Sequence, residues 1–190
     1  MVTLVLVAVA LYGLSRAFSG AGSPVSFAVE SDNRIDLTPN QITSIRKIGK
    51  WEFLSVQMEE IIDTTRSRIL LSDDELIRIY RGTIRLGIDM EQLGDDWFSS
   101  RGDTAVLHLP PVRQLNERFI DEAATQTFYE SGTWSHAARE QMYREAERRM
   151  KKRLAAGYAY EQAEENGREQ LTALMRAFGF RHTEVSFENK

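Results

Sequence analysis

The chain is 190 residues long, carries 24 Lys and Arg against 28 Asp and Glu for a net charge of -4, and has no cysteine. The missing thiols exclude disulfides, thiolate nucleophiles, lipoprotein acylation and Cys-based zinc sites, and the acidic balance excludes a long-range field that would draw in nucleic acid. Any anion binding must therefore be local.

Residues 2–14 read VTLVLVAVALYGL, without a charge. A spanning helix needs about 20 mostly apolar residues and a signal-peptide core about 7 to 15, and this run lies between the two. Ala17 and Phe18 extend it past Ser15 and Arg16, and an arginine near a helix end can snorkel to the headgroups. Residues 1–18 are therefore expected to form a single-pass membrane anchor. Two alternatives stay open: a signal cleaved after the small residues Ser19-Gly20-Ala21, although no Lys or Arg precedes the core, or a buried helix of the fold. Residues 19–37, rich in Ser, Gly and Ala and without a sustained period, predict an extended or mobile linker. About 150 residues then remain for a domain over residues 38–190, enough for one core and too few for two.

Thr38-Pro39-Asn40-Gln41 is a capping box with proline at the first helical position, and Leu37 is placed to staple against Ile42. Ile42, Ile45 and Ile48 recur at helical spacing up to Gly49, an expected C-terminal cap. From Trp51 the period becomes two. Leu54, Val56, Met58 and Ile62 share one parity, and Ser55, Gln57, Glu59 and Asp63 the other, which predicts a long half-buried strand.

After the polar break Ser72-Asp73-Asp74-Glu75, Tyr80, Ile84, Leu86, Ile88 and Met90 alternate against Arg81, Thr83, Arg85 and Asp89, with Gly82 and Gly87 as bulge or bend sites. One sheet face should be apolar and the other polar. Residues 91–103 are expected to be a loop. Residues 104–109 predict a third strand, with Ala105, Leu107 and Leu109 alternating until Pro110-Pro111 stops the ladder.

The C-terminal third is helical, with one stripe at Ala138, Met142, Ala146, Met150 and Leu154 and another at Ala163, Gly167, Leu171, Leu174 and Phe178. Ala155-Ala156-Gly157 divides the two helices, Gly179 closes the second, and residues 183–187 read as a last strand returning to the sheet. The expected architecture is α+β. A short N-terminal helix and two longer C-terminal ones pack on one face of a mostly antiparallel sheet of about four strands.

Gly87-Ile88-Asp89-Met90 at one strand end, Leu109-Pro110-Pro111 at the next, and Gly179-Phe180 with Val185 and Phe187 at the close form a pattern. With the apolar N-terminus and the paired helices, it resembles a bacterial family catalogued only as a domain of unknown function, number 4230, over roughly residues 40–188. The resemblance implies a membrane-anchored bacterial protein and lends no activity. It implies an inner-membrane location with an extracytoplasmic domain. Many members carry basic residues before the anchor, which this chain lacks, and Arg16 on the far side argues by the positive-inside rule for a cytoplasmic domain.

The sharpest local feature is the basic run Arg148, Arg149, Lys151, Lys152 and Arg153 around Met150. It can contact anionic lipid or polymer phosphates, or it can be a solvated helix face neutralised by pairs such as Glu145 to Arg149 and Glu147 to Lys151. No aromatic interrupts the run to stack bases, so lipid or protein is favoured over nucleic acid as partner. In residues 91–103, Trp97 and Phe98 either fold back over the sheet or stay exposed as a docking patch. Asp95, Asp96 and Asp103 fit no EF-hand spacing, so no metal is expected. Arg78, Arg81 and Arg85 are expected on the polar sheet face as partner contacts.

His108, His136 and His182 lie on separate elements, and no GxSxG or HExxH occurs. Asp89 reads as a turn cap rather than a base. No catalytic residue and no cofactor is expected. Two functions from different classes follow: a non-catalytic anchored envelope protein whose domain binds another protein or itself, and a peripheral binder of anionic lipid or anionic polymer acting through the basic helix, with an enzyme only as a third reading.

Overall fold

The computed structural model describes residues 39–68 and 72–188, all within one compact unit. The expected anchor, the linker, the Thr38 cap and the Leu37 staple lie outside the described residues, as does the side chain of Ile42.

The first helix, α1 (Pro39–Arg46), ends where Gly49 takes a φ of +70° and its N–H donates to the Arg46 carbonyl. That left-handed conformation is open to glycine at no steric cost. Ile45 is buried, but Ile48 falls past the last helical turn and is half exposed, so it leaves the expected stripe.

β1 (Lys50–Arg66) and β2 (Asp74–Asp89) form one long antiparallel hairpin. Its alternation is the one expected. Tyr80, Ile84, Leu86, Ile88 and Met90 are fully buried, and Leu54, Val56, Met58 and Ile62 face the same core from β1. The register slips once, between Glu52 and Leu54, where Phe53 is an extra residue opposite the Leu86–Gly87 step. This is a bulge, and it turns Phe53 into the core. A Cβ on Gly87 would overlap the Trp51 carbonyl, so glycine is required there by space and not by φ. Beyond Asp89, whose carboxylate accepts the Glu91 N–H, the chain makes a 3-10 turn over Met90–Gln92. The expected turn-capping role of Asp89 is what the geometry shows.

In place of the single expected sheet there are two. β5 (Arg113–Gln114) and β6 (Ile120–Glu130) share the far edge of β2, giving a four-stranded antiparallel sheet. β3 (Phe98–Arg101), β4 (Thr104–Leu109) and β7 (His182–Phe187) form a separate three-stranded sheet in which β7 runs parallel to β4. The third strand and the last strand thus occur where expected, but they pair with each other. Residues 98–101, expected as loop, are a strand. Pro110 and Pro111 end β4 and return the chain to the open edge of β2.

α2 (His136–Ala156) is capped by the Ser135 hydroxyl and α3 (Ala159–Ala177) follows the Gly157 break. Met142, Ala146, Met150 and Leu154 form the buried row of α2 as expected, with Ala138 half-buried. In α3 the row is Ala163, Gly167, Leu171 and Met175, and Leu174 and Phe178 are only half-buried. The four-residue step continues through Met175 because a helix drifts only slightly over such a spacing. Gly167 sits against the ring edges of Phe53 and Phe187, so α3 touches strands of both sheets where no Cβ would fit. Gly87→Ala is expected to destabilise the domain by about 3 kcal/mol in urea unfolding, because the added methyl must displace β1 backbone.

Candidate functional site

β2 parity decides where its three arginines go. Arg81 and Arg85 point to the outward face, where Arg81 Nε donates to Glu59 at 2.7 Å and Arg85 lies 3.5 Å from Glu52. Arg78 corrects the expectation: it shares the even parity of Leu76 and Tyr80 and lies on the helix side. There its guanidinium stacks 5.2 Å from the Tyr80 ring and donates to the Tyr80 hydroxyl at 3.2 Å. With His136, Arg139, Glu140 and Tyr143 from α2 and Glu122 and Thr125 from β6, these two residues line a cleft of about 330 Å³.

The two phenols meet edge to face at 6.2 Å, and burial pushes both above the ordinary tyrosine range. Both are neutral hydroxyls at physiological pH. Arg139 is drawn off to Glu130 at 2.5 Å, and Nε of Arg78 is buried with no hydrogen-bond partner among the described residues. The cleft therefore holds mixed charges beside two neutral phenols. Among the described residues no three His, Asp or Glu side chains are grouped to hold a metal.

The basic run is largely engaged. Arg149 donates to Glu145 at 2.7 Å and Lys151 reaches Glu147 at 2.6 Å, the two local pairs expected, and Arg148 adds a further bond to Glu145 at 2.6 Å. The two guanidiniums hold the Glu145 carboxyl below the usual range, and Glu145 in turn raises Arg149. Arg153 crosses to β1, pairing with Glu60 at 2.9 Å and donating to the Glu59 carbonyl at 2.6 Å. Lys152 is exposed and has no ion pair among the described residues.

Trp97 and Phe98 fold back over the sheet, the first of the two alternatives. Trp97 is 2% exposed, which removes it from any docking surface, and Phe98 packs edge to face on Phe180 at 5.9 Å. The burial leaves the Trp97 indole N–H without a partner among the described residues.

What the sequence reading missed lies on the outward face of the larger sheet. That face is not uniformly polar. Ile61 is directly opposite Ile79, and Ile77 is opposite Tyr129, so four apolar side chains run across three strands. Ile61 is 54% exposed and Tyr129 49%, and Phe128, the extra residue of a bulge beside Tyr129, is 73% exposed. Parity alone could have placed Ile61, Ile77 and Ile79 together, because all three are odd-numbered.

At the same end of the hairpin Asp74 is 5% exposed and bonded by Arg66 and, at 2.5 Å, by Arg68. Arg66 also donates to the Thr133 carbonyl and covers the Trp134 ring at 5.2 Å. This clasp ties the hairpin to the approach to α2, and its two guanidiniums hold the Asp74 carboxyl below the ordinary aspartate range.

Two sheets and a pair of helices, with most charged groups of the described residues tied into pairs, define an α+β domain. The chain belongs to the family of proteins of unknown function DUF4230, whose profile matches residues 43–185, from α1 into β7. It is the family to which the strand-end motifs pointed. Comparison with curated proteins and with solved structures gives no match.

Because the folded Asp74 carboxyl titrates below its unfolded value, its stabilising contribution is complete above the unfolded value and is lost as pH falls through the folded one. Asp74→Asn is accordingly expected to melt below the parent protein at pH 7. The gap between the two melting temperatures should close as the pH is lowered below about 4.

Proposed function

We propose that the chain is a non-catalytic, membrane-anchored protein of the bacterial inner membrane whose α+β domain works by binding another protein or further copies of itself. Residues 1–18 are the single-pass anchor, residues 19–37 the tether, and the domain stands on the extracytoplasmic side. The observation that carries the interaction reading is the apolar row Ile61, Ile77, Ile79 and Tyr129, with Phe128 beside it, left uncovered on a sheet whose other face is packed under helices. Contiguous apolar groups rimmed by polar ones mark interaction sites on a folded surface. Arg81 and Arg85, at the polar end of the same face, are the charged rim.

The alternative is a peripheral anionic-lipid binder acting through Arg148, Arg149, Lys151, Lys152 and Arg153. It draws less support, since four of these five cations already hold carboxylates or carbonyls of the chain.

The anchored, extracytoplasmic arrangement is tested by adding protease to intact spheroplasts and weighing the chain. The expected result is digestion of the domain in a protein whose mass retains residues 1–21. Protection of the domain would overturn the extracytoplasmic assignment, and a mass lacking those residues would overturn the anchor.

A further inference from the structure

The outward face of the four-stranded sheet is complementary to itself. On β1 the outward column reads Gln57, Glu59, Ile61, and on β2 the neighbouring column reads Thr83, Arg81, Ile79 at the same three levels. Acid therefore lies beside base at one level, and isoleucine beside isoleucine at the next. A two-fold axis running along the strands between β1 and β2 exchanges these columns when two such faces meet. The β1 column of one copy then lies over the β2 column of the other, with Ile61 on Ile79, Glu59 on Arg81 and Gln57 on Thr83.

We propose that this face joins two copies of the chain in an isologous, sheet-on-sheet dimer. The proposal rests on the interaction reading above and names its partner. Two sheets packed in this way lie about 10 Å apart and cross at about 30°, which limits close contact to a few levels along the strands. The proposed contact is centred on the Glu59–Arg81 and Ile61–Ile79 levels, which match in kind, with the unmatched Asp63–Ile77 level at its margin. Each Glu59–Arg81 pair, already closed at 2.7 Å within a chain, becomes half of a four-charge ring in which signs alternate. Tyr129, one strand beyond Ile77, reaches past the partner's β1 and covers the free edge of that strand.

A second copy suits this face better than a strongly charged partner, because Glu59 and Arg81 already balance each other in adjacent columns, while Asp63, opposite Ile77, stands at the margin of the contact. Contact over so few residues is small by the standard of stable complexes, so a dissociation constant of about 10–100 μM is expected for the domain free in solution. Tethering both copies to one membrane raises their effective concentration enough to make such an interface sufficient.

The test uses the full chain in detergent micelles, followed by sedimentation over a concentration series. The wild type is expected to pass from monomer to dimer. Glu59→Arg and Arg81→Glu should each weaken association at least about tenfold, and an equimolar mixture of the two should restore it, because each then meets the opposite charge across the axis. Since the chain has no cysteine, Ile61→Cys and Ile79→Cys placed on differently tagged copies give an independent readout. They should form a mixed disulfide on mild oxidation, and Ile61→Cys alone should cross-link poorly. Cooperative thermal melting checks that each variant folds, and the cysteine pair decides the matter if a charge variant does not.

A wild type that stays monomeric to about 200 μM, far above the expected constant, overturns the dimer. So does a mixture without restored association together with cysteine copies that fail to cross-link. A photo-cross-linking residue at position 61 in native membranes separates the two proposals. An adduct to a different protein, with a monomeric wild type, ends self-association and leaves the interaction reading standing. No adduct and no dimer ends both.

Discussion

The antiparallel pairing of β1 with β2 is the constraint on which the rest of the structure depends. Sixteen cross-strand partners, interrupted by one bulge at Phe53, hold a hairpin about 50 Å long in a single register. A slip of one residue would exchange its faces, sending Tyr80, Ile84, Leu86 and Ile88 into solvent and Arg81 and Arg85 into the core. With the register fixed, everything else has a defined place. Both long helices lie on the even-numbered face, β5 and β6 take the remaining edge of β2, and the Phe53 bulge reaches α3 at Gly167 and, beyond it, Phe187 of the second sheet.

Charge follows the same division. Local helix pairs absorb Arg148, Arg149 and Lys151, while Arg153 fastens α2 to β1 through Glu60 and the Glu59 carbonyl. That last contact also occupies an edge-facing carbonyl of β1, as the Asn166 amide does for the Phe53 carbonyl at 3.1 Å. The free edge of the long strand is thus blunted at two points, the usual defence against uncontrolled strand addition. Addition along the edge is hindered, while Ile61 and Tyr129 on the outward face stay about half exposed.

Much of this was legible in the residues. Period two over β1 and β2 and four-residue stripes in α2 and α3 follow from burial on one side, and burial is what hydrophobic pattern records. The polarity of Arg78 points outward, but it shares the even parity of Tyr80, and parity puts it under the helices. β6 escaped notice for a different reason: almost every residue in it is half-buried or exposed, and two bulges break its alternation, so only Phe128 and Tyr129 hint at a strand. β3 has four residues, and its one local signal was the Gly102-Asp103 turn, with Gly102 at a φ of +63°. Partnership between strands was not legible at all, since alternation fixes which way a side chain points and not which strand lies beside it. The surface suffered from the same limit: the ion pairs within α2 were readable from spacing, whereas those from α2 to Glu60 depend on packing.

The parallel pairing of β4 with β7 joins Thr104 to His182 across the whole helical third of the chain. Contacts so distant in sequence form late, after loop-closure entropy has been met by other structure. The hairpin can assemble from neighbouring residues, but the second sheet must wait for α2 and α3 to bring β7 back. Until then β3 and β4 form an isolated two-stranded ribbon with Leu107 and Leu109 short of their cover, and such a ribbon is marginal in water. The order of folding is in this way written into the topology, with the larger sheet first and the smaller one as the step that closes the domain.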